Sequence, residues 1–191
     1  AKSFDIKTIA PGHGPVYRKN PQKIMDDYTR FSQYAEGAGK NEITVLWGSM
    51  YGMTAKAVDY VESILKREGV NYSKIEMPQE SDSEMIANVF KSAGIIIAAP
   101  TYEYKLFPPV AAALNEIGRK RITGKLAFRF GSYGWSGGAE KELKEIIERN
   151  KMNWDFMESV EFEGAPKEGD LAKLEAKVLE LVNKMKEKIV E

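Results

Sequence analysis

Residues 94–100 read GIIIAAP, and this stretch decides the fold class. Every position is apolar, which is typical of a central strand covered on both faces, and such strands occur in parallel sheets that lie between layers of helices. Pro100 ends the strand because proline cannot donate a backbone hydrogen bond to a neighbouring strand. The stretch therefore predicts an α/β protein in which residues 94–100 form a central strand.

The same pattern extends in both directions from this strand. Short apolar runs alternate with segments whose apolar residues have helical spacing. Strands are predicted at residues 42–49, 72–77, 94–100, 125–133 and 156–163, with a helix after each. Alternating strands and helices form right-handed βαβ units. We therefore predict a doubly wound five-stranded parallel sheet with helices on both faces.

A separate segment precedes the first of these strands. Ile24, Tyr28, Phe31 and Tyr34 fall on one helical face, and the sequence GAGKN follows at residues 37–41. This pattern predicts a connecting helix and a linker over residues 20–41. The α/β domain is then predicted to occupy residues 42–191.

Composition excludes several classes of function. Lys plus Arg and Asp plus Glu number 28 each, so no net charge attracts nucleic acid or an anionic membrane, and neither is predicted as a partner. The chain contains no cysteine, which excludes iron–sulfur clusters and cysteine-ligated zinc sites. Neither a signal-type segment nor a run of 18 apolar residues occurs, and a cytoplasmic location is predicted.

The first loop that would line a ligand site follows the first strand and reads SMYGMT, residues 49–54. Ligands of open α/β sheets bind at the carboxyl ends of the strands. Ser49, Tyr51 and Thr54 supply hydroxyls, and the helix that follows begins with unpaired N–H groups, so the loop suits an anion. It lacks the G-K-[ST] of a P-loop and the G-x-G-x-x-G of dinucleotide sites, which favours a single phosphate monoester. An ordinary helix cap is the alternative interpretation.

Two further loops follow the third and fourth strands. PTYEY at residues 100–104 offers the rings of Tyr102 and Tyr104, which could alternatively pack against the sheet edge. SYGWSGG at residues 132–138 surrounds Tyr133 and Trp135 with glycines, and an indole in such a loop is hard to explain as core. A planar aromatic molecule with one phosphate satisfies all three loops, and FMN has that shape.

These motifs carry a resemblance to known proteins. Through SMYGMT, PTYEY and SYGWSGG, residues 42–191 resemble a flavodoxin. Together with APGHGPVYR at residues 10–18, the chain is similar to the flavodiiron proteins, also called A-type flavoproteins. The resemblance implies a flavodoxin-like sheet of strand order 2-1-3-4-5 and bound FMN. It also implies that residues 1–19 are the tail of a metallo-β-lactamase-like diiron domain that is not in this chain.

His13 is the only histidine, and in this family the histidine of the APGHGPVYR-like motif is an iron ligand. The resemblance therefore implies that His13 ligates iron only when the missing diiron domain is present, because one imidazole is too few ligands for a metal site. A solvated or capping histidine is the alternative.

The resemblance also assigns the flavin-binding residues position by position. Trp135 is the expected stacking partner of the isoalloxazine ring, with Tyr102 or Tyr104 across it, while Met50 and Met53 contribute backbone contacts or belong to the core. The full set comprises Ser49, Met50, Tyr51, Gly52, Met53, Thr54, Pro100, Thr101, Tyr102, Glu103, Tyr104, Ser132, Tyr133, Gly134, Trp135, Ser136 and Gly137.

The activity implied by the resemblance is electron transfer. FMN would receive electrons from a rubredoxin, a flavin reductase or a reduced deazaflavin and pass them to the diiron centre, which reduces dioxygen or nitric oxide. The complete protein would be a homo-oligomer. The chain holds no Ser/His/Asp or Cys/His constellation, so no catalytic residue is predicted and the isolated chain is expected to be only an electron carrier. KRITGK at residues 120–125 is either a solvated loop or a docking site for an acidic redox partner.

Two alternatives remain open. In a free-standing flavodoxin or a flavin-dependent quinone reductase, residues 1–41 would be a mere extension. A response-regulator receiver has the same fold but needs acidic residues at the end of the first strand, where this chain has Gly48 and Ser49.

Overall fold

The computed structural model describes residues 4–190, so the first three residues of the predicted 1–19 segment lie outside it. The helices of the described residues are α1 (Pro21–Ala35), α2 (Met53–Arg67), α3 (Asp82–Lys91), α4 (Pro108–Arg119), α5 (Ala139–Arg149) and α6 (Glu168–Met185). The strands are β1 (Lys40–Trp47), β2 (Asn71–Glu76), β3 (Ser92–Ala98), β4 (Thr101–Tyr102), β5 (Lys105–Leu106), β6 (Leu126–Tyr133), β7 (Asp155–Phe156) and β8 (Val160–Glu163). None of these helices is long and apolar enough to cross a membrane.

The main sheet is parallel and has the order β2-β1-β3-β6, followed by an edge position that β7 and β8 share. With β7 and β8 counted as one strand, this is the 2-1-3-4-5 order of flavodoxin-like folds. The predicted fold class and strand order are therefore confirmed. The short antiparallel hairpin of β4 and β5 lies outside this sheet and was not predicted.

The fifth strand differs from the continuous strand predicted at residues 156–163. Ala127 pairs with Phe156 and Phe130 pairs with Val160, so the edge strand has one more residue between these pairs than β6 has. An extra residue of this kind interrupts the hydrogen-bonded ladder, as in a β-bulge. The interruption divides the predicted strand into β7 and β8.

β3 is buried at all seven positions, as its apolar sequence predicts. One hydrophobic cluster packs α2 and α6 against one face of the sheet, through residues such as Val61, Leu174 and Phe128. A second cluster packs α3, α4 and α5 against the other face, through residues such as Met85 and Val110. Burial on both faces fixes β3 at the centre of the molecule.

Helix α1 lies within residues 20–41, where a helix was predicted, and the structure shows how it is attached. Asn20 caps its start, with its side-chain oxygen accepting a hydrogen bond from the backbone N–H of Lys23 at 3.3 Å. Tyr34 at its other end is buried and meets Phe90 edge-on at a ring-centroid distance of 5.8 Å. Tyr28 and Phe31 on the same face are exposed. The helix is therefore anchored through its carboxyl-terminal end.

The amino end of the sheet is held by Lys125, which directly precedes β6. Its side chain is fully buried, and its Nζ donates hydrogen bonds to the carbonyl oxygens of Ala38 and Phe90, each at 2.8 Å. Ile122 is also buried, and its carbonyl accepts a hydrogen bond from the indole N–H of Trp154 at 2.9 Å. The KRITGK stretch is thus partly core, and it lies at the end of the sheet opposite the strands' carboxyl ends.

Burial, together with the positive charge of Lys188, lowers the pKa of Lys125 to about 7. The hydrogen bonds agree with this direction. A neutral amine has two N–H groups for the two carbonyl acceptors, whereas an ammonium has a third N–H.

We expect Lys125 to make the protein more stable as the pH rises from 7 toward 10.5. In this window the unfolded lysine keeps its proton and the folded one does not, so the free energy of unfolding gains up to about 1.4 kcal/mol per pH unit. Urea unfolding of the wild type and of Lys125→Met at pH 7 and 9.5 measures the difference. The wild type should gain relative to the variant, and parallel changes in the two proteins would contradict the assignment.

Candidate functional site

Three loops that follow β1, β3 and β6 meet around one pocket at the carboxyl ends of these strands. Its volume of about 510 Å³ lies within the range of small-molecule sites. Its lining consists of Met50, Tyr51, Met53, Pro100, Thr101, Tyr102, Glu103, Tyr104, Ser132, Tyr133, Gly134, Trp135, Ser136 and Gly164. The structure thus brings together most of the residues that the sequence analysis singled out.

The first loop leads into α2, which begins at Met53 after Gly52. Gly52 has a positive φ of 79°, a conformation that glycine adopts at little cost, and its N–H donates to Ser49 Oγ at 3.1 Å. No side chain of residues 4–190 caps α2, and its first turn contains no acidic residue. Its unpaired N–H groups and positive dipole end therefore suit an anion.

Thr54 ties the first loop to the third. Its side chain is fully buried, and its hydroxyl lies 2.9 Å from the hydroxyl of Ser132. The backbone N–H of Ser132 also donates to Thr54 Oγ1 at 3.4 Å. This hydroxyl therefore holds two loops together and does not line the pocket.

The second loop is the β4–β5 hairpin, whose turn residues are strained. Glu103 and Tyr104 have positive φ values of 46° and 64°, which are costly for residues other than glycine and cluster at functional sites. The hairpin is fastened to α5, because Leu106 N–H donates to a carboxylate oxygen of Glu142 at 2.7 Å. This contact and the main-chain pairing of β4 with β5 hold Tyr102 and Tyr104 at the pocket.

Aromatic rings around this pocket are unusually exposed. Trp135 is 88% exposed, Tyr51 83% and Tyr104 67%, whereas Trp154 is buried and Trp47 packs against the first hydrophobic cluster. Exposed rings grouped at an apolar pocket mark a binding surface. Thr101 adds a buried hydroxyl that has no hydrogen-bond partner among residues 4–190. The pocket therefore offers flat apolar faces together with a polar atom that lacks a partner.

Some predicted residues are not among the residues that line the pocket, and one lining residue was missed. Ser49, Gly52, Thr54 and Gly137 are absent from the lining. Gly164 is the missed residue: it follows β8, has a positive φ of 64°, and donates its N–H to the carbonyl of Tyr133 at 2.9 Å. A glycine directly after the predicted fifth strand is the signal that could have identified it.

His13 lies apart from this pocket. Ile9 and Tyr17 pair through two backbone hydrogen bonds of 2.9 and 2.8 Å and close a loop that carries His13 near its tip. The histidine is exposed, and residues 4–190 contain no group of three or more His, Cys, Asp or Glu side chains that could hold a metal. Its assignment as an iron ligand stays a prediction.

A larger cavity of about 840 Å³ lies between α5 and the sheet edge at β7. It is lined by residues such as Leu143, Ile147 and Phe156 and contains none of the predicted site residues. It also lies away from the loops after β1 and β3. Because ligands of such sheets bind at the carboxyl ends of the central strands, the smaller pocket is the candidate site.

Comparisons with known proteins agree with this fold. No protein-family model matches the chain. A nitric oxide reductase of Moorella thermoacetica is 30% identical over 147 residues, which is 77% of this chain and 36% of the relative. A flavo-diiron protein variant of Thermotoga maritima superposes with a TM-score of 0.81 at 26% identity, over 96% of this chain and 45% of that one. An archaeal flavodoxin superposes with a TM-score of 0.64 at 21% identity, over 76% of this chain and 99% of that one.

These numbers set the scope of the likeness. The chain spans little more than a third of the Moorella protein and under half of the Thermotoga protein. The superposition on the Thermotoga protein includes more residues of this chain than the sheet and its helices contain. It therefore extends over most of residues 4–41 as well.

We expect Thr54→Val to lower the free energy of unfolding by about 1–3 kcal/mol, because it leaves the buried hydroxyl of Ser132 without its partner. Adding Ser132→Ala should recover part of this loss, since both partners are then apolar. Thr29→Val on the exposed face of α1 is the control and should change little. Urea unfolding measures the wild type, Thr54→Val, Ser132→Ala, the double variant and the control, and a double variant less stable by the sum of the two single losses would contradict the coupling.

Proposed function

The chain belongs to the flavodiiron protein family, whose flavodoxin-like part it contains, and from this premise we propose that it binds FMN and transfers electrons. The observation that carries the proposal is the pocket in which an uncapped helix start and several exposed aromatic rings meet. A phosphate suits the first feature and a planar ring system the second. FMN carries both groups in one molecule.

The residues present fit this cofactor. Thr101 has a buried hydroxyl without a partner among residues 4–190, and an added Cβ at Gly52 or Gly134 would meet no atom within 4 Å, so both glycines border open space. Residues 49–54 would hold the phosphate through Ser49 Oγ and the N–H groups at the start of α2. Residues 100–104 and 132–137 would hold the ring, with Trp135 covering one face and Tyr102 or Tyr104 the other. Bound FMN would supply one- and two-electron exchange.

This chain's own contribution is to bind and orient the flavin. Within the described part of the chain neither Lys nor Arg lines the pocket, so hydroxyl and backbone donors would balance the phosphate charge. The aromatic rings would exclude water from the faces that they cover. Glu103 is the one acidic residue that lines the pocket among residues 4–190, and acid–base catalysis by the chain is not proposed.

The remaining assignments concern the whole protein. Residues 1–19 are proposed to be the tail of a diiron domain, with His13 as one of its iron ligands, residues 20–41 the connection, and residues 42–191 the FMN domain. Electrons are proposed to come from a rubredoxin, a flavin reductase or a reduced deazaflavin and to pass to the diiron centre, which reduces dioxygen or nitric oxide. The relative from Moorella is named a nitric oxide reductase. We also propose that the complete protein is a homo-oligomer and that it is located in the cytoplasm.

The free-standing flavodoxin alternative has less support. The archaeal flavodoxin matches 76% of this chain, and the Thermotoga flavo-diiron protein matches 96% with a higher TM-score. Neither the structure nor these likenesses favours a quinone reductase.

We expect the chain to bind FMN at least roughly tenfold more tightly than riboflavin, because hydrogen bonds to a charged phosphate contribute about 1.5–3 kcal/mol each. Fluorescence titration under identical conditions compares FMN, riboflavin and FAD. FAD should also bind more weakly than FMN, since the loop offers nothing for an adenylate. Equal affinities for FMN and riboflavin would contradict the phosphate assignment.

Ser49→Ala sharpens this test. It should weaken FMN binding and leave riboflavin binding nearly unchanged, because the hydroxyl is proposed to contact only the phosphate region. Ser63→Ala is the matched control, since that hydroxyl donates to the carbonyl of Tyr60 within α2 at 2.6 Å. A Ser49→Ala variant that loses affinity for both flavins equally would argue for a general disturbance of the loop.

We expect the chain alone to hold no stoichiometric iron and to show no nitric oxide turnover, while its bound FMN can still be reduced and reoxidised. The physical reason is that a single imidazole cannot supply a diiron ligand set. Metal analysis and a nitric oxide electrode measure these properties, with His13→Ala as the control that should behave identically. Binding of one or two iron atoms per chain would overturn the assignment.

A further inference from the structure

A charged residue lies in the core beneath the candidate site. Arg129 of β6 is fully buried, and its Nη1 pairs with a carboxylate oxygen of Glu161 at 2.5 Å. Its Nη2 donates to the carbonyl oxygen of Ala99 at 3.2 Å. Its Nε has no hydrogen-bond partner among residues 4–190.

Both partners of Arg129 adjoin pocket loops. Ala99 directly precedes Pro100, the first pocket residue of the second loop. A Cβ added at Gly137 of the third loop would lie 3.0 Å from the second carboxylate oxygen of Glu161. The guanidinium thus contacts the start of one loop and, through Glu161, the base of the other.

The stability of the fold alone explains the presence of the Arg129–Glu161 ion pair poorly. Removing two charges from water is costly, and apolar residues of similar volume often replace buried ion pairs without loss of stability. The guanidinium of Arg129 also places a positive charge in a buried medium that screens poorly. Glu161 is partly exposed and balances this charge.

We propose that Arg129 and Glu161 are positioning residues that hold the second and third loops. Their opposite charges also offset each other's effect on the reduction of the bound flavin. The proposal rests on the proposed function, since it concerns the flavin of this pocket. Reduction adds negative charge to a flavin, so a nearby positive charge favours the reduced form and a nearby negative charge the oxidised form. With both partners present, the two effects oppose each other.

The test uses the FMN-loaded chain and three variants: Glu161→Gln, Arg129→Gln and the double variant. The midpoint potential of bound FMN is measured by equilibration with redox dyes, together with the affinities for oxidised and reduced FMN. Glu161→Gln should raise the potential and Arg129→Gln should lower it. Each should change the ratio of the two affinities by roughly threefold or more, in opposite directions. The double variant should return toward the wild type.

Controls separate charge from general damage. Glu116→Gln and Arg119→Gln break an exposed ion pair of α4 and should leave the potential unchanged. Arg129→Lys keeps the charge and should stay closer to the wild type than Arg129→Gln does. If Arg129→Gln does not fold, Glu161→Gln and Arg129→Lys decide the question by themselves.

The outcomes are distinguishable. Shifts of the same sign, or no shift in variants that bind FMN, would overturn the role of this pair and leave the proposed function intact. A wild-type chain that binds no FMN would overturn the proposed function itself.

Discussion

At the carboxyl ends of β3 and β6, the carbonyl of Ala99 lies so close to Gly131 that no side chain fits at this position of β6. A Cβ on Gly131 would lie 1.7 Å from the carbonyl oxygen of Ala99. The N–H of Ala99 donates to the carbonyl of Phe130 at 3.0 Å, so the pairing continues past the last residue of β3. The second and third loops therefore leave the sheet side by side. Because of this, Pro100 and Ser132 line the same pocket, and Arg129 can reach Ala99 from within the core.

The remaining contacts at the site refine this arrangement. The Thr54–Ser132 hydroxyl pair brings the first loop to the third, and the carboxylate of Glu142 holds the hairpin through the backbone of Leu106. Each contact joins residues that are more than thirty positions apart in the sequence. The pocket is therefore a property of the packed sheet, and no single loop could form it alone.

Local pattern predicts the fold because burial repeats along each element. The apolar run of β3 and the helical spacing of the other segments were enough to predict the parallel sheet. The division of the fifth strand depends on a one-residue difference in register with β6, which the strand's own sequence does not show. Lys125 and Arg129 could not be predicted as buried, because a charged residue is normally exposed and their acceptors lie far away in sequence. The lining of the pocket was largely predictable, since loops after parallel strands share one edge. The inward direction of the Thr54 side chain was not predictable from the sequence.

Gly39 is hydrogen-bonded to the last residues that the structure describes. Gly39 N–H donates to the carbonyl of Lys188, and Val190 N–H donates to the carbonyl of Gly39, both at 2.9 Å. Residues 39–190 thus have their two ends side by side, at the amino ends of the strands and away from the pocket. Units with adjacent ends tolerate circular permutation and insertion into other chains. This geometry allows residues 39–190 to be inserted into a longer chain without covering the ligand pocket.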